Sequence, residues 1–296
     1  MSKPALHVTT LNIHKGFSQF NRRMMVHELR DCLRSLNPDI VFLQEVQGLH
    51  LGHAENHGDW PTEPQHEFLA EDVWQSSAYG RNMIYDHGHH GNAILSRFPI
   101  LHAHNQDVTH LLFEKRGLLH CRIALPERPA AHCVCVHLSL FGYSRRRQMA
   151  ELANYLDRVA GPDSPLIIAG DFNDWNNRAG SHLAQRLGLT EVFSRQEGVP
   201  VRSYPAALPM FRLDRIYVRG FHVQRTELHF GEPWSAISDH AALSAHLERH
   251  GQTGKCDKAP QGQDGHSADR RRRRIVARRF RFHNMLTPRA PHTAPW

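Results

Sequence analysis

Nowhere does this chain hold an apolar run near the roughly 18 residues that a membrane-spanning helix requires. Nor does the stretch after Met1 contain the apolar core of an export signal; it enters a strand-like segment directly. Both absences predict a soluble, cytoplasmic protein without a transmembrane segment. Cysteine is scarce: the five present are odd in number and lack CxxC spacing, which argues against a disulfide framework and predicts reduced thiols. Cys133 and Cys135 lie two apart in an apolar run, so on a strand they share a face and read as small core residues. With 20 Gly, 17 Pro, 40% hydrophobic and 22% charged residues in 296, collagen-like, coiled-coil and fully disordered chains are excluded. The 25 histidines are many, but they scatter, and His87, His89 and His90 lack a regular ligand spacing, so metal storage is not indicated.

The net charge of +7 is unevenly placed. Residues 250–296 hold eleven Lys and Arg against three Asp, a net +8, which leaves residues 1–249 at −1. The body is therefore no basic clamp for nucleic acid by composition. Between Gly251 and Asp269 almost nothing is apolar, as expected of a linker too polar to fold alone. The reading is one catalytic-size domain, 1–249, followed by an Arg-rich disordered tail, 250–296. That tail is either simply solvated or an adhesive arm for nucleic acid or an anionic membrane surface.

Short β-branched runs alternate with helical or polar stretches: Leu6 to Ile13, Ile40 to Leu43, Ala93 to Leu95, Leu118 to Leu125, Cys133 to Leu140, Leu166 to Ala169, Leu213 to Val218 and Ala241 to Leu247. Met25, Leu29, Cys32, Leu33 and Leu36 form a helical stripe that Pro38 stops, and further helices are predicted over Ser144 to Val159 and Ser181 to Leu187. Strands without polar alternation need cover on both faces, which favours stacked sheets with helices outside. A weak repeat agrees: strand-helix-strand units run from Asn12 to Glu45 and from His137 to Asp171, each expected to deliver a polar residue at a strand end.

Those strand ends carry the candidate chemistry. Asp171 and Asn173 leave a buried strand two residues apart, where open α/β sheets place their sites, or where Asp and Asn merely stabilise a turn. Glu45 leaves another apolar strand. Asp214 opens the run to Val218, and Asp239 and His240 precede the run to Leu247. If these last two strands run antiparallel to the first group, all of these polar groups arrive at one edge of mixed sheets.

Leu11-Asn12-Ile13, Gln44-Glu45, Gly91-Asn92-Ala93-Ile94-Leu95-Ser96, His137-Leu138, Gly170-Asp171-Phe172-Asn173, Leu213-Asp214 and Ser238-Asp239-His240 occur in that order. Together they resemble the endonuclease/exonuclease/phosphatase superfamily, the fold of DNase I, abasic-site endonucleases, neutral sphingomyelinases and inositol-polyphosphate phosphatases. The resemblance covers nearly all of residues 6–248. It implies an α/β four-layer sandwich, two mixed β-sheets packed face to face with helices outside. It also implies a phosphoester hydrolase using Mg²⁺, with Mn²⁺ as an alternative ion. Carried over position by position, Glu45 is the main metal ligand with Asn12 and Asp239 beside it. Asp171 and Asn173 orient water and phosphate, His137 contacts phosphoryl oxygens, and His240 pairs with Asp214. Family members disagree on whether that histidine or the aspartate matching Asp171 is the base. One departure stands out: abasic-site endonucleases carry an aspartate two residues after the asparagine, where this chain has His14 before Lys15 and Gly16. That argues against a specialised abasic-site enzyme.

For substrate contacts, Arg81, Arg116 and Asn92 are the candidates, and Trp175 is a loop tryptophan that either stacks on a base or packs on the body. A nuclease acting as a monomer on a phosphoester substrate is the first expectation. The alternatives are a phosphatase or phosphodiesterase for phospholipid headgroups or small metabolites, and a polyanion-binding protein with a decayed site. Specificity is expected in the loops His50 to Glu71 and Arg195 to Pro209.

Overall fold

The computed structural model describes residues 5–18, 23–50, 60–126 and 129–249, so the expected tail from 250 onward lies outside the described residues. Hydrophobic patterning first organises the N-terminal unit. In β1 (Leu6–Asn12) nearly every residue is buried, as befits a strand covered on both faces. Helix α1 (Val26–Leu36) then buries Val26, Leu29, Cys32 and Leu33 along one stripe. Asn37 ends it in a left-handed conformation, its N–H bonding the Leu33 carbonyl, just before Pro38. The chain returns as β2 (Ile40–His50), parallel to β1 with Asn12 opposite Gln44.

Sheet one is completed by β4 (Gly88–Ser96) and β3 (Ser76–Tyr85) on one side and β12 (Ala242–Arg249) and β11 (Phe221–His229) on the other, in the order β11-β12-β1-β2-β4-β3. Sheet two runs β5 (Ile100–Asp107), β6 (Gly117–Ile123), β7 (Ala131–His137), β8 (Leu166–Asp171), β10 (Asp214–Arg219), β9 (Thr190–Glu191). Helix α2 (Gln65–Ala70) lies in sheet one's half, and α3 (Gly142–Val159) connects the parallel pair β7 and β8. The remaining helices are α4 (Arg178–Leu187), α5 (Val192–Glu197) and α6 (Trp234–Ile237).

Three apolar clusters define the layers. The inner faces of both sheets meet through residues such as Val8, Phe42, Ile94, Cys133, Ile167 and Ile216. Sheet one's other face packs on α1 through Leu29, Leu33, Val41 and Leu95, and sheet two's on α3 through Leu152, Leu156, Val134 and Ile168. Each fully buried Leu, Ile or Val contributes ~1.5–3 kcal/mol. The architecture is the four-layer α/β sandwich the resemblance implied, with mixed sheets, since β12 and β10 run antiparallel to β1 and β8. Cys32, Cys121, Cys133 and Cys135 are buried free thiols.

Two expectations change in detail. The apolar runs missed β3, β5 and β11, which lie at sheet edges. Edge strands need no second covered face and here are rich in exposed polar residues, as in the largely exposed β5. Second, Glu45 does not end its strand: β2 continues to His50, with the pairing to β4 shifted between Leu43 and Val46. Glu45 sits in that bulge at φ 56°, a left-handed conformation that is uncommon outside glycine.

Candidate active site

Register alone brings one row of polar residues together. His137 closes β7 directly opposite Asp171, which closes β8, and Asp214 opens β10 opposite Asp171 on the other side. Gly170 makes this row possible: at φ 143°, a Cβ there would overlap the Val136 carbonyl oxygen of the neighbouring strand. From sheet one, Asn12 reaches across, its Nδ2 donating to Glu45 Oε1 at 3.2 Å and facing Asp171 Oδ2 at 3.4 Å. Asp171 is thereby the hub, with His137 Nε2 at 3.5 Å and His240 Nε2 at 4.0 Å from the same oxygen.

Its second oxygen accepts the Asn173 backbone N–H at 2.9 Å, while the Asn173 side chain donates to the Leu138 carbonyl at 3.0 Å. Asp171 and Asn173 thus form a side-chain-stabilised turn, and the other Asp171 oxygen is left facing Asn12, His137 and His240. His240 is oriented by Asp214, Nδ1 to Oδ2 at 2.9 Å. Its backbone N–H donates to Ser238 Oγ, which in turn donates to the Asn12 carbonyl at 2.7 Å, tying the Ser238-Asp239-His240 segment to β1.

Charge follows this geometry. Burial raises the Glu45 carboxyl, but His137, Lys15, the Asn12 bond and His14 outweigh it and hold it at about 2. Burial pushes Asp171 up, opposed by His240 and reinforced by Asp214. Burial lowers the His240 imidazole, yet the charge and hydrogen bond of Asp214, with Asp171 and Asp239, carry it well above the ordinary range. His137 goes the other way, lowered by burial and by Arg116.

The residues fit a hard cation. Glu45 offers an ionised, part-exposed carboxylate, and Asp239 Oδ1 is buried without a hydrogen-bond partner, 3.4 Å from His14 Nδ1. Asp171, Asp214 and His240 also bring ligand atoms within 4.8 Å of one another. There, however, the His240 Nδ1 is already engaged by Asp214, so this trio reads as an oriented imidazole between carboxylates.

Of the proposed substrate contacts, Arg116 joins the site. Its charge acts on His137 and Asp171, and its guanidinium donates to Glu114 at 3.0 Å and to the Leu138 carbonyl at 3.4 Å. Asn92 is buried between the sheets, its Nδ2 spent on the Gly117 and Cys135 carbonyls. Arg81 is exposed on β3, where its charge acts on Tyr79 and His89; among the described residues no bond links it to Glu45 or Asp171. Arg145 is also structural, capping the Ser139 and Leu140 carbonyls. Trp175 is 48% exposed, its ring 6.1 Å from Phe211, and with Asn176, Met210 and Arg212 they line a cleft of about 420 Å³. Tyr204 links that cleft to the site, its ring lying 6.5 Å from Phe211 and 5.0 Å from His240.

His90 is the site neighbour that motif reading missed. Burial, Lys15 and Arg116 lower its imidazole, against Glu45, to about 4. Strand alternation was the available signal, because residues 90 and 92 share a face of β4. The charge of Lys15 acts on Glu45 from a left-handed turn, with positive φ at His14, Lys15 and Gly16.

The chain is 47% identical over 242 residues to Escherichia coli K12 YbhP, covering 81% of this chain and 95% of that protein. Among solved structures, an endonuclease/exonuclease/phosphatase from Beutenbergia cavernae superposes with a TM-score of 0.67 at 20% identity, over 84% of this chain and 72% of the other. The mannosyl-6-phosphatase Bt3783 of Bacteroides thetaiotaomicron does so at 0.62 and 16%, over 82% and 100%. At such identities the structures speak for the fold. Family-wide sequence similarity goes further, matching residues 9–240 from the middle of β1 through His240, so the whole polar edge falls inside it. By that match this chain belongs to the Endonuclease/Exonuclease/phosphatase family, whose general chemistry is phosphoester hydrolysis with divalent metals.

Proposed function

We propose that the protein is a Mg²⁺-dependent phosphodiesterase. The observation that carries this reading is the convergence on one Asp171 oxygen of Asn12, His137 and His240, with Glu45 bonded to the same Asn12. A bound Mg²⁺ would be held by Glu45 and Asp239, with Asn12 alongside, and supplies screening of phosphate charge and stabilisation of the departing oxygen. The protein's own groups do the rest. His240, with carboxylates facing both ring nitrogens, is held as a donor and stabilises negative charge on the phosphoryl group. Asp171, fixed by the Asn173 N–H, accepts the proton of the attacking water. Asp214 sets the His240 orientation, and Asn173 and His137 donate toward phosphoryl oxygens.

Nuclease activity is the first substrate expectation, and the Trp175–Phe211 cleft with Arg212 suits a planar base beside a phosphate. Phospholipid headgroups form the second reading, favoured by apolar side chains exposed beside Arg116. The deciding experiment is a Mg²⁺-supplemented panel of plasmid DNA, RNA, phospholipids, inositol phosphates, a sugar phosphate and a chromogenic bis-phosphodiester, with and without chelator. Undiminished hydrolysis in excess chelator contradicts the proposal, as does inactivity on every member.

A further inference from the structure

Two loops break the ordinary rules of local sequence at the same place. Leu112 and Phe113 occupy the tip of a tight turn closed by the Glu114 N–H bonding the Leu111 carbonyl, where Gly, Asn, Asp or Pro is usual. They are 86% and 70% exposed. Phe141 is the N-cap of α3 without a capping side chain, a position that favours Ser, Thr, Asp or Asn. Leu140, Phe141 and Tyr143 are likewise more than half exposed. Folding does not account for apolar residues at either position, since none of them is buried by the fold.

The two loops are clamped into one platform. Buried Glu114 accepts from the Ser139 hydroxyl, from the Leu140 N–H at 3.0 Å and from Arg116. The Phe113 and Phe141 rings meet at 5.8 Å, edge to face. The rim is cationic: Arg146 and Arg147 are exposed, the latter over the Tyr143 ring at 5.8 Å, and Lys115 is part-exposed. Residues 108–116 and 138–147 contain no other acid than that buried Glu114. The platform also abuts the site, because the Leu138 carbonyl is shared by Arg116 and Asn173.

We infer that this face docks on an anionic phospholipid bilayer, with Leu112, Phe113, Leu140 and Phe141 entering the headgroup boundary and Arg146 and Arg147 meeting its charge. Protruding aliphatic and aromatic tips beside two exposed arginines match an interface that is apolar beneath and anionic above. The bilayer then presents a headgroup phosphoester toward Asp171; this second statement rests on the proposed hydrolase function, whereas docking does not.

The test uses the full chain, so that the cationic tail is equal in every arm. Wild type and the triple variant Leu112→Ser/Phe113→Ser/Phe141→Ser are sedimented with phosphatidylcholine vesicles with and without about one third phosphatidylglycerol. Measurements at low salt and at about 0.5 M salt separate the screened charge attraction from the apolar share. Wild type should favour anionic vesicles and retain binding at high salt, and the variant should bind about tenfold or more weakly, with unchanged thermal unfolding and unchanged turnover of a water-soluble diester. Equal binding by both proteins overturns the inference, as does absent binding by wild type. Loss of duplex DNA binding with vesicle binding intact overturns it in favour of a nucleic-acid surface. Vesicle binding that depends on the tips in a protein inactive on every phosphoester leaves docking standing and rejects the hydrolase. Should the triple variant fail to fold, Phe113→Trp with brominated acyl chains decides the matter: added tryptophan quenching is expected, and its absence overturns the inference.

Discussion

The two strand-helix-strand units look alike in topology and differ in how they deliver a carboxylate. In the second, parallel pairing puts His137 opposite Asp171, and the acid simply ends its strand. In the first, the residue opposite Asn12 is Gln44, and the acid comes one position later, inside a bulge. Gln44 instead turns into the core, bonding Thr10 Oγ1, the Phe42 carbonyl and Cys135 Sγ across the sheets. Regular alternation sends neighbouring side chains to opposite faces, and the left-handed Glu45 re-aims its side chain locally. One unit therefore yields a charge set by plain register, the other a charge set by a deliberate irregularity.

The largest effect should come from removing that irregular charge. Glu45→Gln keeps the Asn12 contact possible while deleting the anion, and should lower kcat by ~10³-fold and abolish calorimetric Mg²⁺ or Mn²⁺ binding. A variant with wild-type turnover and ion affinity would show that the first unit does not hold the metal.

Around the second unit's Asp171, His240→Ala should cost at least ~10²-fold in kcat, and Asp214→Ala somewhat less. Because Asp214 acts through His240, the double variant should be little worse than His240→Ala, which a double-mutant cycle on kcat reads directly. Fully multiplicative losses would mean that the two act separately.

Gly170→Ala tests whether plain register suffices. The new methyl group overlaps the Val136 carbonyl oxygen and must occupy a positive φ, so urea unfolding should show a loss of about 2 kcal/mol or more, with kcat reduced in the surviving folded fraction. Unchanged stability would show that β7 and β8 can separate without disturbing the site.

The gentlest effect is shared by both sheets. Burial and neighbouring positive groups hold His7, stacked on His246, and His120, bonded to His132 and Tyr155, at about 4. The unfolded chain binds their protons near pH 6.5 and the folded one does not, so stability should fall as pH drops from 6.5 toward 4 and then level off for these groups. His120→Gln should flatten that slope in pH-dependent urea titrations. An unaltered slope would place the acid sensitivity elsewhere.

Much of the site was legible because its acids sit at the ends of buried strands. Asp171, Asp214 and His240 could be marked from apolar runs that stop at a charge, and the structure joins them within 2.9–4.0 Å. Arg116 could be guessed as a nearby cation, but nothing along the chain distinguished it from Arg81. Only the clamp with Glu114 and Leu138 turns one inward, and the edge position of β3 leaves the other in solvent.

By itself the sequence determined the layered core, the parallel units and the chemistry placed at their ends, since hydrophobic period and strand length are local properties of the chain. The tertiary structure alone decided which ends meet. Asn12 and Asp171 are 159 residues apart and touch because the two sheets pack face to face. It also decided that Glu45 faces that meeting point from a bulge, and that two unrelated loops share one apolar tip. Such convergence depends on long-range register and on backbone irregularities, which local periodicity does not encode.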